Sequence, residues 1–336
     1  MRMKMKIRHF IFAVFAIAFT LKNASAEPVI DITKGNIKPM PIAIPDFLAS
    51  GADNGVGVNI ARVVSADLER SGLFAPIDPK AFIQDNASLQ QGPRFQDWRL
   101  VNAQALVSGT TQAQGNQVLV QFRLWDVYGE QQMVGFQYNA APENWRRIAH
   151  KIADEIYKRI TGEEGYFDTR LVYVAESGSP TKRQKRLAIM DQDGENHRFL
   201  TNGANLVLTP RFSPAAQDIT YMSYFNNKPR VYLFNIDSGQ QEVLGDFPGM
   251  TFAPRFSPDG SKVIMSLAQH GNTDLFVMDI RTRKVTRLTN SPAIDTSPSY
   301  SPDGSRVVFN SDRGGEQQLY VMNADGSGVQ IGRAHV

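Results

Sequence analysis

The sequence predicts a small α/β domain followed by an all-β propeller, and three observations carry that prediction. Short motifs recur every 44 residues through the second half of the chain. The first half ignores that interval and holds two amphipathic helical patterns. Between those helices lies a stretch in which apolar residues recur at every second position, the mark of a strand.

Met1 to Arg8 carries Arg2, Lys4, Lys6 and Arg8, and an apolar run follows from Phe10 to Leu21. Ala24-Ser25-Ala26 then offers small residues for cleavage, so residues 1–26 read as a secretory signal peptide with Glu27 as mature start. A run of 12 residues is too short to span about 30 Å of hydrocarbon as a helix. No cysteine follows it to carry a lipid. The chain has a formal net charge of +3; the leader holds five basic residues and no acid, which leaves −2 for the mature protein. Basic character confined to the leader gives nucleic-acid binding no support. The absence of cysteine excludes disulfides and thiolate chemistry.

Residues 27–165 read as the α/β domain. Glu27-Pro28-Val29-Ile30-Asp31-Ile32-Thr33-Lys34-Gly35 alternates apolar residues behind a free terminus. It suits the first strand of its own domain or a strand added to a partner's sheet edge, and the two states can alternate. Val56, Ile60, Val63, Val64 and Leu68 share one helical face, with Asp53 or Asn54 as N-cap and Gly72 as stop. Val118, Val120, Phe122 and Leu124 alternate with Leu119, Gln121 and Arg123 as a strand, and Met133 to Tyr138 is its hairpin partner across Tyr128-Gly129-Glu130. Trp145, Ile148, Ile152, Ile156 and Ile160 form a second helical face ended by Gly162. Two helices on one face of a small mixed sheet is the economical arrangement. Gly162 to Gly165 is the expected hinge.

The propeller is expected over residues 166–330. Pro210-Arg211-Phe212-Ser213-Pro214 recurs as Pro254-Arg255-Phe256-Ser257-Pro258 and as Pro298-Ser299-Tyr300-Ser301-Pro302, 44 residues apart each time. Asp191, Asn235, Asp279 and Asn323 keep the same interval, as do Leu200, Leu244 and Leu288. A repeat of about 40–45 residues with four short strands is a propeller blade. Within one unit, strand A ends at Arg255-Phe256 and the turn Ser257-Pro258-Asp259-Gly260 follows. Strand B is Val263 to Leu267, a polar loop covers His270-Gly271-Asn272, strand C is Leu275 to Met278, and strand D is Val285 to Leu288. Alternating directions put the D-to-A connectors and the B–C loops on one rim, and the A–B and C–D turns on the other. In the first unit Arg170 matches Arg306 at 136 residues, three periods plus four, and the extra four fall in the basic stretch Pro180 to Arg186.

Units beginning near Phe167, Leu208, Phe252 and Thr296 make about three and a half blades, since the last lacks a recognisable strand D. Ile331 to Val336 matches nothing in the repeat and is expected to be a non-native tail, of the kind one frame of a sequencing adapter encodes, or else a divergent strand D. Asp191-Gln192-Asp193-Gly194 is too short for an EF-hand loop and aligns with Asn323-Ala324-Asp325-Gly326, which makes it the C–D turn. His150, His197 and His270 show no ligand spacing. No cofactor and no metal is expected.

These domains in this order behind a leader resemble the TolB family of the Tol-Pal system, over nearly all of residues 27–330. The resemblance is most specific at Asp67-Leu68-Glu69-Arg70-Ser71-Gly72-Leu73-Phe74, at Phe122-Arg123-Leu124-Trp125-Asp126-Val127 and at the Ser-Pro-Asp-Gly turns. It implies a six-bladed propeller, of which about two and a half blades are absent here, and a periplasmic adaptor without catalysis. It further implies that the propeller mouth binds the peptidoglycan-associated lipoprotein Pal. The N-terminal segment, Glu27, Pro28, Val29, Ile30, Asp31, Ile32 and Thr33, would be taken up by the C-terminal domain of the inner-membrane protein TolA. Such a complex links inner to outer membrane, maintains envelope integrity and helps the outer membrane constrict at division.

Met250, Ala253 and Thr296 stand at the positions the resemblance assigns to the partner-contacting mouth; some relatives carry His where this chain has Met250. Thr209, Thr251 and Asp295 occupy the same rim before each strand-A proline, with His270 and Asn272 beside them. The alternative is a serine peptidase of the prolyl-oligopeptidase type whose catalytic domain lies elsewhere. The chain has no Gly-x-Ser-x-Gly elbow, and the α/β domain has no obvious place in such an enzyme. A sugar- or polymer-binding propeller is a third class.

Overall fold

Alternating burial sets the sheet of the N-terminal unit. Its strands are β1 (Met40–Ala43), β2 (Leu48–Ser50), β3 (Phe74–Pro76), β4 (Ala105–Gln114), β5 (Gln117–Asp126) and β6 (Gln131–Ala140). They lie in the order β3-β1-β4-β5-β6, with β2 paired to β4. β1 runs parallel to β3 and β4, and β2 parallel to β4, while β4, β5 and β6 form an antiparallel meander. The sheet is mixed, as expected. The computed structural model describes residues 28, 30, 38–51, 55–225, 227–245, 247 and 249–332; the expected signal peptide lies outside them. Among these residues no helix is long and apolar enough to cross a membrane.

Both predicted helices form, α1 (Val56–Arg70) and, after two short ones, α4 (Trp145–Thr161). Ile60, Val63, Val64 and Leu68 of α1 and Ile148, Ile152, Ile156 and Ile160 of α4 are buried with Val118, Val120, Phe122 and Leu124 of the sheet. Each fully buried Ile or Leu contributes about 1.5–3 kcal/mol. Asp67 and His150, both buried, join the helices through an Oδ2–Nδ1 hydrogen bond of 2.6 Å, and Arg70 pairs with Asp67 at 3.0 Å. The N-cap of α1 is Gly55, at φ 79, and not Asp53 or Asn54, which lie outside the described residues. A left-handed entry favours glycine over the side-chain cap the sequence suggested. The phenyl ring of Phe47 lies 2.3 Å from where a Cβ on Gly109 would stand, so that strand position has to be glycine.

The two-helix layer is present, and a second, smaller layer lies opposite it. The helices α1 and α4 cover one face, but residues 77–104 cover part of the other, with α2 (Asn86–Leu89) and α3 (Phe95–Leu100). Trp98 is buried there with Ala43, Leu89, Ala103, Leu106 and Val127. Gln84 is the polar centre of this layer: its Oε1 accepts from Trp98 Nε1 at 2.9 Å and from the Arg94 amide at 2.8 Å, and its Nε2 donates to the Gly92 carbonyl at 2.9 Å.

The chain divides into two compact units between Thr169 and Arg170, four residues beyond the boundary expected from sequence. Phe167, expected to open the first blade, is buried in the N-terminal core, and the Asp154 carboxylate accepts from the amides of Phe167 (2.6 Å) and Asp168 (3.1 Å). The segment after the hinge glycine is therefore fastened back onto α4.

The second unit is four successive antiparallel sheets. The first holds β7 (Arg170–Ser177), β8 (Gln184–Asp191) and β9 (Arg198–Phe199). The second holds β10 (Val207–Phe212), β11 (Asp218–Phe225), β12 (Lys228–Asn235) and β13 (Gln241–Val243). The third holds β14 (Met250–Phe256), β15 (Lys262–Gln269), β16 (Asn272–Asp279) and β17 (Val285–Arg287). The fourth holds β18 (Thr296–Tyr300), β19 (Arg306–Ser311), β20 (Gln318–Asn323) and β21 (Gln330–Ile331). Every sheet follows sequence order. The first consists of strands B, C and D, because Phe167 belongs to the other unit. The fourth does have a strand D, since Ile331 of the expected tail pairs with Tyr320. The polar loop of the third sheet shrinks to a two-residue turn, His270 (φ 51) and Gly271 (φ 81), between paired Gln269 and Asn272. Apolar side chains of adjacent sheets interleave, as Leu187 and Ile189 do with Val207, Ile219 and Tyr221. The A strands β10, β14 and β18 also touch in succession, so they converge on an axis as propeller blades do.

Candidate functional site

Each strand A is interrupted at the same repeat position. The ladders β10–β11, β14–β15 and β18–β19 lose register between Leu208 and Arg211, Phe252 and Arg255, and Thr296 and Ser299. Inside these bulges Thr209, Ala253 and Ser297 take φ of 48, 50 and 54. A non-glycine residue rarely adopts such angles, and a following proline disfavours them further. Each costs on the order of 1–3 kcal/mol, held by the pairing on either side. Bulges of this kind re-aim side chains next to functional surfaces. Thr209 and Ala253, expected at the mouth, sit in these bulges, and Thr296 begins the third.

Just before each bulge an apolar side chain faces outward. Leu206, Met250 and Ile294 are 44 residues apart and are 41%, 37% and 40% exposed. They share one rim: the Leu206 carbonyl accepts from Tyr224, Met250 pairs with Ala268, and Ile294 bridges to Thr273. Phe225, at the end of the neighbouring β11, is also half exposed. A row of large apolar groups on one rim is what a protein-docking surface presents. Met250 was legible in the sequence. Leu206 and Ile294 were not picked out, although the repeat interval, counted from Met250, leads directly to them.

Two of the expected contact residues turn inward. Thr251 is 0% exposed, and its hydroxyl accepts from the Val231 amide at 3.1 Å. The corresponding amides of the neighbouring sheets, Leu187 and Leu275, are met by Thr201 (2.9 Å) and Thr289 (3.0 Å). Gly245 stands at that position in the second sheet, so Thr251 supplies the acceptor from the next strand. Asp295 is also 0% exposed, and Arg313 Nη2 reaches its two oxygens at 2.9 and 2.8 Å. Arg313 lies over the rings of Phe309 and Tyr320 at 5.2 and 5.0 Å. Thr251 and Asp295 therefore brace the rim from within. Asn272 does likewise, donating to the Ser291 carbonyl at 2.6 Å, while His270 remains in the turn.

On the opposite rim the Ser-Pro-Asp-Gly turns are closed electrostatic units. Asp259 accepts from the hydroxyls of Ser257 and Ser261 and from the Ser261 amide, and these hydrogen bonds hold its carboxyl down at about 2. Ser301 and Ser305 hold Asp303 at about 2 in the same way.

In the N-terminal segment Pro28 is half-buried and Ile30 is buried. The Ile30 amide donates to the Ile160 carbonyl in the last turn of α4, at 3.1 Å. Ile30 therefore caps a helix end and forms no strand. Glu27, Val29, Asp31, Ile32 and Thr33 lie outside the described residues.

Two family profiles match the chain: the TolB amino-terminal domain over residues 28–133 and the TolB beta propeller domain over residues 157–333. The chain is 63% identical over 241 residues to the Tol-Pal system protein TolB of Paramagnetospirillum magneticum, covering 71% of this chain and 54% of that protein. It thus spans about half the length of that curated relative. It is also similar to the crystal structure of TolB from Acinetobacter baumannii, at 30% identity and a TM-score of 0.75, over 90% of this chain and 73% of that one.

Proposed function

The chain belongs to the TolB family of Tol-Pal system proteins, and on that premise we propose that it is a periplasmic adaptor without catalytic activity. Its rim of Leu206, Met250 and Ile294, with Thr209, Ala253 and Thr296 beside them, docks the lipoprotein Pal. Its N-terminal segment, residues 27–33, is handed to the C-terminal domain of TolA. The two contacts together couple inner to outer membrane during envelope maintenance and division.

The observation that carries this reading is the exposed apolar row at one repeat position, set beside three strained bulges. Leaving three large side chains in water is costly unless a partner covers them, and the bulges beside them set the direction in which the rim residues point. Ile30 fits the second contact, because its amide bond to the Ile160 carbonyl can be exchanged for one to another sheet.

Binding of the purified periplasmic domain of Pal by calorimetry tests the first contact. Leu206→Asp and Ile294→Asp should each weaken it by about tenfold or more, as anchors at an interface centre do. Unchanged affinity in folded variants would refute the rim as the docking surface. Deleting residues 27–35 should abolish capture of the TolA domain and spare Pal binding; retained capture would sink the second contact.

A further inference from the structure

The inner wall of the propeller carries two arginines that meet no acid among the described residues. Arg211 and Arg255 are 44 residues apart, on β10 and β14, the first strands of adjoining sheets. Neither strand has a ladder partner on its inner edge, and the two strands touch. The guanidinium groups are posed alike: Nη1 of each donates to the carbonyl of the preceding proline, Pro210 or Pro254, at 2.9 Å. Arg211 is exposed and Arg255 half-buried. Among the described residues neither forms an ion pair, whereas Arg287 pairs with Asp274 and Arg313 with Asp295 in the neighbouring sheets. Burial, and then the nearby charge of Arg211, lower the basicity of Arg255. Partial burial and the like charge of Arg211 both raise the energy of the Arg255 cation, and an anion between the two would relieve it. The planar fork of each guanidinium matches an oxyanion, with donors still unused after the bond to proline.

We propose that Arg211 and Arg255 form a site for a small oxyanion, a carboxylate or a phosphate group, on the inner wall of the propeller. It is separate from the rim: both residues follow the bulges, and Leu206 and Met250 precede them. Its occupant binds through charge and forked hydrogen bonds, where the rim offers apolar surface.

The test is a titration of the folded protein with inorganic phosphate and, separately, with glutarate, followed by NMR of the arginine Nε–Hε signals. Saturable shifts of the Arg211 and Arg255 signals are expected with at least one probe. Arg211→Gln or Arg255→Gln should weaken that binding by about tenfold, and Arg→Lys by less because charge survives without the fork. Tighter binding of phosphate assigns a phosphate group, and tighter binding of glutarate a carboxylate; either supports the site. The Lys variants keep the test decisive if a Gln variant fails to fold. Absence of saturable shifts with both probes, or equal affinity in a folded variant and the parent, would overturn it.

Discussion

The Thr251 hydroxyl stands 3.1 Å from the Val231 amide and accepts its hydrogen, doing from strand A of the third sheet what Thr201 and Thr289 do within their own sheets. Gly245, at φ 85, occupies the position where the second sheet would otherwise have its threonine. Thr251→Val keeps the shape and removes the acceptor, leaving a buried N–H bare. The expected loss is about 1–3 kcal/mol, read as a lower urea midpoint at unchanged slope. Affinity for a rim partner should be unaffected, which separates bracing from docking.

Asp303 and Asp259 should titrate near pH 2 by carbon NMR, well below an unfolded aspartate at roughly 3.9. Because the folded value is the lower one, their stabilisation is complete above the unfolded value and is lost as pH falls through about 2. Asp303→Asn should flatten the decline in stability between those limits. The second sheet provides a natural control: Ala215 replaces the aspartate there, and Ser213 accepts only from the amides of Ala215 (3.3 Å) and Ala216 (3.2 Å).

His150→Ala should loosen α1 from α4. The substitution removes one hydrogen-bond partner from the buried Asp67 carboxylate, at a cost of about 1–3 kcal/mol. Hydrogen exchange should quicken in both helices, while the propeller sheets keep their protection.

Phe167→Ala should destabilise the N-terminal unit by about 3–5 kcal/mol, the usual range for a buried phenylalanine. A fragment of residues 28–169 should melt higher than one of residues 28–165. Equal melting points would restore the earlier boundary.

The repeat interval and the alternation in β5 were plain in the sequence because each records a periodic burial pattern. The bulges were not. Thr209, Ala253 and Ser297 carry no local preference for positive φ, and only the neighbouring ladders impose it. Phe167 resembled the start of a blade because an aromatic residue suits either core, and the deciding contact, with Asp154, is tertiary. The layer around Trp98 rests on helices of four and six residues, too short to show a helical period. Thr251 looked like a rim residue because its role comes from Gly245, in a different blade. Leu206 and Ile294 were within reach, since the interval alone points to them.

The amide of Ile30 gives the helix-end carbonyl of Ile160 a neighbour from its own chain, and any outside strand that takes this segment must first dislodge it. A synthetic peptide of residues 27–35 faces no such competitor. It should therefore bind a strand-accepting domain more tightly than the intact protein does, by the reciprocal of the fraction of molecules in which Ile30 has let go. That ratio would measure the latch directly.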